Sequence, residues 1–176
     1  NSADQGVFPM DTAFKRRWEF DYIGINENEA AWRGKTVVLG RNQYQRTVEW
    51  NALRTAINDA LSGYQINEDK QMGPYFLSQR ILPATGNEID SAVFSTLFKS
   101  KVISYLFDDA AKQKAPTLFA GCEEKKRYSS ICAEFDEKGV FIFCEDIARL
   151  FPAQPIQTAE THDDNATATE TEEETV

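Results

Sequence analysis

Residues 88–109 read E-I-D-S-A-V-F-S-T-L-F-K-S-K-V-I-S-Y-L-F-D-D, the longest regular pattern in this 176-residue chain. Apolar side chains recur every three or four positions along it, at Ile89, Val93, Phe94, Leu97, Phe98, Val102, Tyr105 and Leu106. This repeat predicts one amphipathic helix of about five turns, with Asn87 as a candidate cap at its start. The adjacent carboxylates of Asp108 and Asp109 at its end are expected to be solvated or salt-bridged and not to bind a metal.

Helical patterns also lie on both sides of this segment. Residues 47–63 predict a helix that ends at Gly63, with Glu49, Arg54 and Asp59 expected mostly on its solvated side. A second helix is predicted over residues 127–135, with Gly139 just beyond its end. The sequence also predicts three shorter features in this part of the chain: a connector at 115–121, a strand or helix-packing strip at 140–143, and a helical turn at 147–151.

Charge and cysteine content exclude several classes of protein. The net charge is −9, but residues 153–176 contain seven acidic and no basic side chains, so the rest carries −9 + 7 = −2. A general basic surface for nucleic acid is therefore not indicated. Cys122, Cys132 and Cys144 are widely spaced, which argues against a disulfide framework or a zinc site. Without a long apolar run or a signal-like start, the chain is expected to be soluble and cytoplasmic, with no membrane partner.

The N-terminal stretch carries the residues with the most suggestive chemistry. Residues 1–18 read N-S-A-D-Q-G-V-F-P-M-D-T-A-F-K-R-R-W, in which a polar cluster precedes a basic triplet by about a dozen residues. Residues 19–25 that follow are aromatic and β-branched, which predicts a strand. Residues 26–46 are expected to be a connecting loop with a small excursion at 36–39.

This stretch resembles the segment M-N-T-A-D-R-(about six residues)-D-x-A-L-R-R-R-F of McrB-like AAA+ NTPases, the GTP-hydrolysing motor subunits of modification-dependent (methylcytosine) restriction systems. The resemblance implies that Asn1 is the sensor facing the γ-phosphate, with Asp4 as its acidic companion. It implies that Arg16 and Arg17 act across a subunit interface. Gln5 stands where the family usually has Arg.

A second resemblance lies in residues 66–78, where Gly73 and Tyr75 match the family's I-G-x-Y-F segment in the helical lid domain. It implies a nucleotide-proximal group of Gly73, Tyr75 and Arg80. The other interpretation, a tight turn with an aromatic plug that fills the lid core, is left open by the residues.

The implied fold class is an α/β fragment of an AAA+ core, residues 1–25, followed after the loop 26–46 by a mostly α-helical lid domain and C-terminal extension, residues 47–151. The acidic tail, residues 152–176, is expected to be disordered because it has too few apolar side chains to offset the entropy cost of ordering.

The resemblance also implies partners and cofactors. A full-length protein would bind GTP or ATP with Mg²⁺, form a hexameric ring, and drive DNA translocation for an McrC-like endonuclease subunit. The motif G-x-x-x-x-G-K-[ST] and an acidic strand end are absent from these residues, so the chain alone is expected to bind no nucleotide and to be inactive.

Two other functions remain open from the sequence. One is a non-enzymatic helical interaction module whose acidic tail binds a basic partner. The other is a protein-remodelling ATPase of the dynein-related branch.

Overall fold

A short β-hairpin and the helix that follows it organise the first half of the described chain. The protein is represented by a computed structural model that describes residues 16–19, 21 and 23–152. Strand β1 (Thr36–Leu39) pairs antiparallel with β2 (Arg46–Glu49), with Val37 opposite Val48. Helix α1 (Trp50–Gly63) begins directly after β2, three residues later than predicted, because residues 47–49 pair with β1. Gly63 is its last residue and Tyr64 its C-cap, so the predicted end is correct to within one residue.

The region expected to be a connecting loop therefore contains one strand and begins a second. The β-prone residues 36–39 are β1, and the missed partner is β2. A backbone contact continues the pairing on the other side of β1, where Thr36 N donates to Asn87 O (2.8 Å) and Ile89 N donates to Thr36 O (2.7 Å).

The long helix predicted over residues 88–109 is present over residues 91–110. Helix α2 (Ser91–Leu97) continues without a break into wider π-helical turns at Phe98–Ile103 and Leu106–Ala110. Asp90 is the N-cap, because its Oδ1 accepts a hydrogen bond from Val93 N (2.8 Å). The prediction that Asn87 caps this helix was wrong, because the helix begins only at Ser91 and the Asn87 side chain instead accepts a hydrogen bond from Lys35 Nζ (3.3 Å).

Three shorter helices complete the molecule. They are α3 (Ala115–Leu118), α4 (Tyr128–Lys138) and α5 (Glu145–Ala148). Gly139 caps α4 with a φ of 53°, which confirms the predicted glycine just beyond that helix. Single 3₁₀ turns lie at Glu29–Trp32, Asn42–Tyr44, Glu68–Lys70, Pro74–Phe76, Gln79–Ile81 and Gly139–Ile142.

The strand predicted over residues 19–25 is absent from the part of it that the structure describes, residues 19, 21 and 23–25. The chain turns back on itself instead, because Glu27 N donates to Gly24 O (3.0 Å) and Gly24 N donates to Glu27 Oε1 (2.8 Å). Alternation of apolar residues favours a strand only where a neighbouring strand is available to pair with it. The remainder of the expected AAA+ core, residues 1–15, lies outside the described residues.

The core is centred on the ring of Phe98. Its centroid lies 4.7 Å from that of Phe135 and 5.6 Å from that of Phe94, both stacked. Trp50 and Phe143 meet the same ring edge-on at 6.2 and 6.4 Å. We call these five residues the aromatic core; it joins α1, α2 and α4 through side chains that are at most 2% exposed.

Candidate functional site

The structure describes only part of the predicted catalytic set. Asn1 and Asp4 lie outside the described residues. Arg16 and Arg17 are described, and both side chains are exposed in a turn that precedes the rest of the chain. Their action across a subunit interface stays a prediction.

The predicted lid residues lie in and around two 3₁₀ turns: Gly73 directly precedes the turn Pro74–Phe76, which contains Tyr75, and Arg80 lies in the next turn, Gln79–Ile81. Tyr75 is 47% exposed, and its hydroxyl donates to Asn28 O (2.7 Å). The half-buried ring of Phe76 packs against Tyr105 at 5.0 Å. Arg80 is exposed to solvent. Phe76 thus contacts the helical body, while Gly73, Tyr75 and Arg80 remain predictions as nucleotide contacts.

Arg54 is where the structure departs most from the sequence-based expectation. Its side chain was expected mostly on the solvated side of α1, and it is 0% exposed. One guanidinium nitrogen, Nη1, donates to Asn26 Oδ1 (2.9 Å) and to Met72 O (3.0 Å). The other, Nη2, lies 3.2 Å from Glu29 Oε2. The prediction that Arg54 is solvated was therefore wrong. The side chain is buried because polar groups from two segments that are distant in the sequence contact it.

Asn58, one turn after Arg54, extends this arrangement. Its Nδ2 donates to Met72 O (2.9 Å), and its Oδ1 accepts from Met72 N (2.9 Å). We call Asn26, Glu29, Arg54, Asn58 and the backbone of Met72 the polar junction. Because buried polar groups are costly unless hydrogen-bonded, this set fixes the path of both segments against α1.

Within the described residues, the guanidinium charge of Arg54 is paired with Glu29, but one of its donors has no partner. Burial lowers the pKa of the Arg54 guanidinium, and the neighbouring Glu29 carboxylate raises it again in part. A guanidinium stays protonated at neutral pH, so the buried charge persists. Arg54 Nε has no hydrogen-bond partner among residues 16–19, 21 and 23–152, and Glu29 is itself 36% exposed.

A sequence signal for the burial of Arg54 did exist. Arg54 lies four positions after Trp50 and three before Ile57, both fully buried. This spacing places all three on one face of a helix. This spacing alone does not predict burial, because charged side chains are rarely buried unless they are paired. The groups that pair with Arg54, on Asn26, Glu29 and Met72, lie far from it in the sequence.

A groove of about 1040 Å³ lies between residues 64–71 and the end of the long helix. Among the residues that line the groove, Lys70 Nζ forms an ion pair with Asp109 Oδ1 (3.0 Å), and Tyr105 Oη donates a hydrogen bond to Lys70 O (2.9 Å). Burial raises the pKa of Tyr105, and Asp109 and Asp69 raise it further. As expected for a helix end, Asp109 is salt-bridged and Asp108 is exposed.

Within the described part of the chain, no group of three His, Cys, Asp or Glu side chains is arranged to hold a metal ion. The three cysteines are free thiols. Of the described helices, none combines the length and the apolar character needed to cross a membrane.

The chain is similar to component YdiS of the type II restriction enzyme BsuMI from Bacillus subtilis (strain 168). The two are 37% identical over 118 residues, which is 67% of this chain and 31% of that protein. The matched part thus spans about a third of the relative's length. No family model and no solved structure matches the chain.

This similarity corrects the expected family. The McrB-like assignment is wrong, because the relative is described as part of a type II restriction enzyme and not of a modification-dependent system. The coarser expectation is supported: this chain resembles a component of a restriction system. Motifs as short as N-S-A-D and K-R-R-W recur in unrelated chains, which explains the error.

Proposed function

We propose that this chain is part of a restriction-enzyme component and contributes to DNA restriction as a helical module of that component. The observation that supports this proposal is the 37% identity to the BsuMI component over 118 residues. A match of that length spans far more than a single short motif.

The proposal is tested by restriction in living cells. In a host that carries the complete system, Phe98→Ala in the aromatic core should destabilise the module enough to lower its folded amount in the cell, and should restore plating of unmodified phage by at least tenfold. Val93→Ala, on the exposed side of the same helix, is the matched control and should leave restriction unchanged. Full restriction by a Phe98→Ala variant that is shown to be unfolded would refute the proposal.

We further propose that the complete component hydrolyses GTP or ATP with Mg²⁺, and that Arg16 and Arg17 act on nucleotide bound to a neighbouring subunit of a homo-oligomer. The exposure of both side chains supports this, because an arginine that acts across an interface must be free to reach its partner. A guanidinium stabilises the charge that develops on phosphoryl oxygens. Asn1 and Asp4 would serve the nucleotide of their own subunit.

Turnover by the complete component tests this activity. Arg16→Ala and Arg17→Ala should lower hydrolysis by about 10³-fold, since an arginine supplied in trans contributes about 10³–10⁵-fold. The exposed Arg33 provides the control variant, Arg33→Ala, and should change turnover less than twofold. Mixing either variant with wild type should restore part of the activity.

Unchanged hydrolysis in both variants would contradict the arginine assignment. Absence of hydrolysis in the wild-type component would instead favour the non-enzymatic interaction module. Arg80→Ala and Tyr75→Phe test the lid residues in the same assay, where a raised KM with unchanged kcat would indicate nucleotide contact.

A further inference from the structure

One buried guanidinium connects two segments that are distant in the sequence. Arg54 Nη1 reaches both Asn26 Oδ1 (2.9 Å) and Met72 O (3.0 Å). These partners lie 28 residues before and 18 residues after it. A planar guanidinium with a fixed set of donors holds its partners in defined directions, which a flexible lysine ammonium does not.

The same two segments also contact each other directly. Tyr75 Oη donates to Asn28 O (2.7 Å), next to the residues that Arg54 holds. Trp50 Nε1 donates to Pro74 O (2.9 Å), which fixes the second segment to the start of α1. Residues 26–29 are thus held by side chains from α1 and from the turn at 72–75.

Stability alone does not account for an arginine at this position. Removing a guanidinium from water is costly, and an apolar side chain of similar volume is often as good or better for stability. Arg54 Nε has no partner in the described part of the chain, so the compensation is incomplete. What an apolar side chain cannot provide is directed contact with both segments at once.

The segment at 26–29 follows Arg16 and Arg17 by about ten residues, and the turn at 72–75 contains Gly73 and Tyr75. We infer that Arg54 is a positioning residue that holds residues 26–29, the segment that follows Arg16 and Arg17 in the chain, in a fixed relation to the turn at 72–75. The functional half of this inference rests on the proposed nucleotide hydrolysis. The structural half does not, so the two can fail separately.

Hydrogen exchange of the chain, followed by NMR, tests the structural half. The amides of Gly24 and Glu27 report on the first segment, because their hydrogen bonds join Glu27, in that segment, to Gly24, two residues before it. Arg54→Met should accelerate their exchange at least tenfold. Asn26→Ala, at an exposed residue, should do the same without unfolding the core, so the test holds even if Arg54→Met fails to fold.

Two control variants on α1 separate positioning from general loosening. Asn58→Ala removes contacts to Met72 but leaves the Asn26 and Glu29 contacts of Arg54, and should change exchange at Gly24 and Glu27 less than threefold. Asp59→Ala, at an exposed residue of the same helix, should change nothing. Unchanged exchange in Arg54→Met and Asn26→Ala, or equal acceleration in Asn58→Ala, would overturn the inference.

Kinetics of the complete component test the functional half. Asn26→Ala and Arg54→Met should lower kcat about tenfold or more with less than a threefold change in KM, because misplaced arginines weaken transition-state contacts more than nucleotide binding. Arg54→Lys should recover part of the loss. Altered exchange with unaltered kcat would refute the link to Arg16 and Arg17; a wild-type component without hydrolysis would refute the proposed activity but leave the structural half standing.

Discussion

The aromatic core and the polar junction are packed against the same helix by different forces. Phe98 and its neighbours are buried by contact that depends little on direction. Arg54 and Asn58 depend on hydrogen bonds of 2.9–3.0 Å to named atoms. The aromatic core therefore provides the driving force for the chain to collapse around α1. The polar junction determines which loop segments lie beside α1.

This difference has a consequence for substitutions. An apolar core accepts side chains of similar volume, since its contacts are redundant. A hydrogen-bonded junction does not, because loss of one partner leaves another buried polar group unpaired. We expect the core to dominate the free energy of unfolding and the junction to dominate local order.

The largest expected effect is Phe98→Ala. Removing this ring opens a cavity between Trp50, Phe94 and Phe135, which should lower the free energy of unfolding by about 3–5 kcal/mol in urea titration. Phe98→Leu should cost much less, because it retains most of the volume. If Phe98→Ala lowers the free energy of unfolding only slightly, the aromatic core does not dominate the stability of the fold.

Asn58→Ala should come next. Met72 N would lose its acceptor in a buried site, which should cost about 2 kcal/mol in the same titration. Its neighbour Asp59 is exposed, and Asp59→Ala should stay within about 0.5 kcal/mol. Equal effects of the two substitutions would break the distinction between junction and surface.

A polar contact nearer the surface should be weaker and dependent on pH. Burial raises the pKa of Glu134, but hydrogen bonds from Lys138 and from the amides of Glu123 and Glu124 outweigh it, so the pKa is lowered overall. The lowered pKa means that the contribution is complete above the unfolded-state pKa of glutamate, about 4.3, and is lost as the pH falls through the folded-state value.

Glu134→Gln should therefore cost about 1 kcal/mol at pH 7. The difference from wild type should shrink below about pH 4, where the glutamate that it replaces becomes protonated. Glu137→Gln, on the exposed side of the same helix, serves as the control in urea titrations at both pH values. A difference that does not depend on pH would contradict this account.

The smallest effect concerns reactivity and not stability. Burial raises the pKa of the Cys122 thiol to about 12, with a further contribution from Glu134. Alkylation of Cys122 by iodoacetamide at pH 8 should be at least about 100-fold slower in the folded chain than in urea, as measured by mass spectrometry of its peptide. Comparable rates would show that this edge of the core opens readily.

Much of the helical content could be predicted because it depends on local spacing. The apolar repeat at residues 88–109 located the long helix to within three residues, and Gly139 marked the end of α4. The strand expected at residues 19–25 failed, because a strand depends on a partner that the local sequence does not specify. β2 was missed for the same reason.

For the candidate site, prediction from the sequence was weaker. Short motifs pointed to a restriction system, which the BsuMI relative supports, but they selected the wrong family. The structure placed Arg16, Arg17 and Arg80 at the surface and Tyr75 against Asn28. The roles of these residues are still predictions.

By itself, the sequence determined where helices form and that the acidic charge is concentrated in residues 153–176, because periodicity and composition are properties of neighbouring residues. Only the tertiary structure decided that Arg54 is buried. Its helical position permits either solvent or core, and the choice depends on Asn26, Glu29 and Met72, which reach it from turns that no local pattern connects to α1.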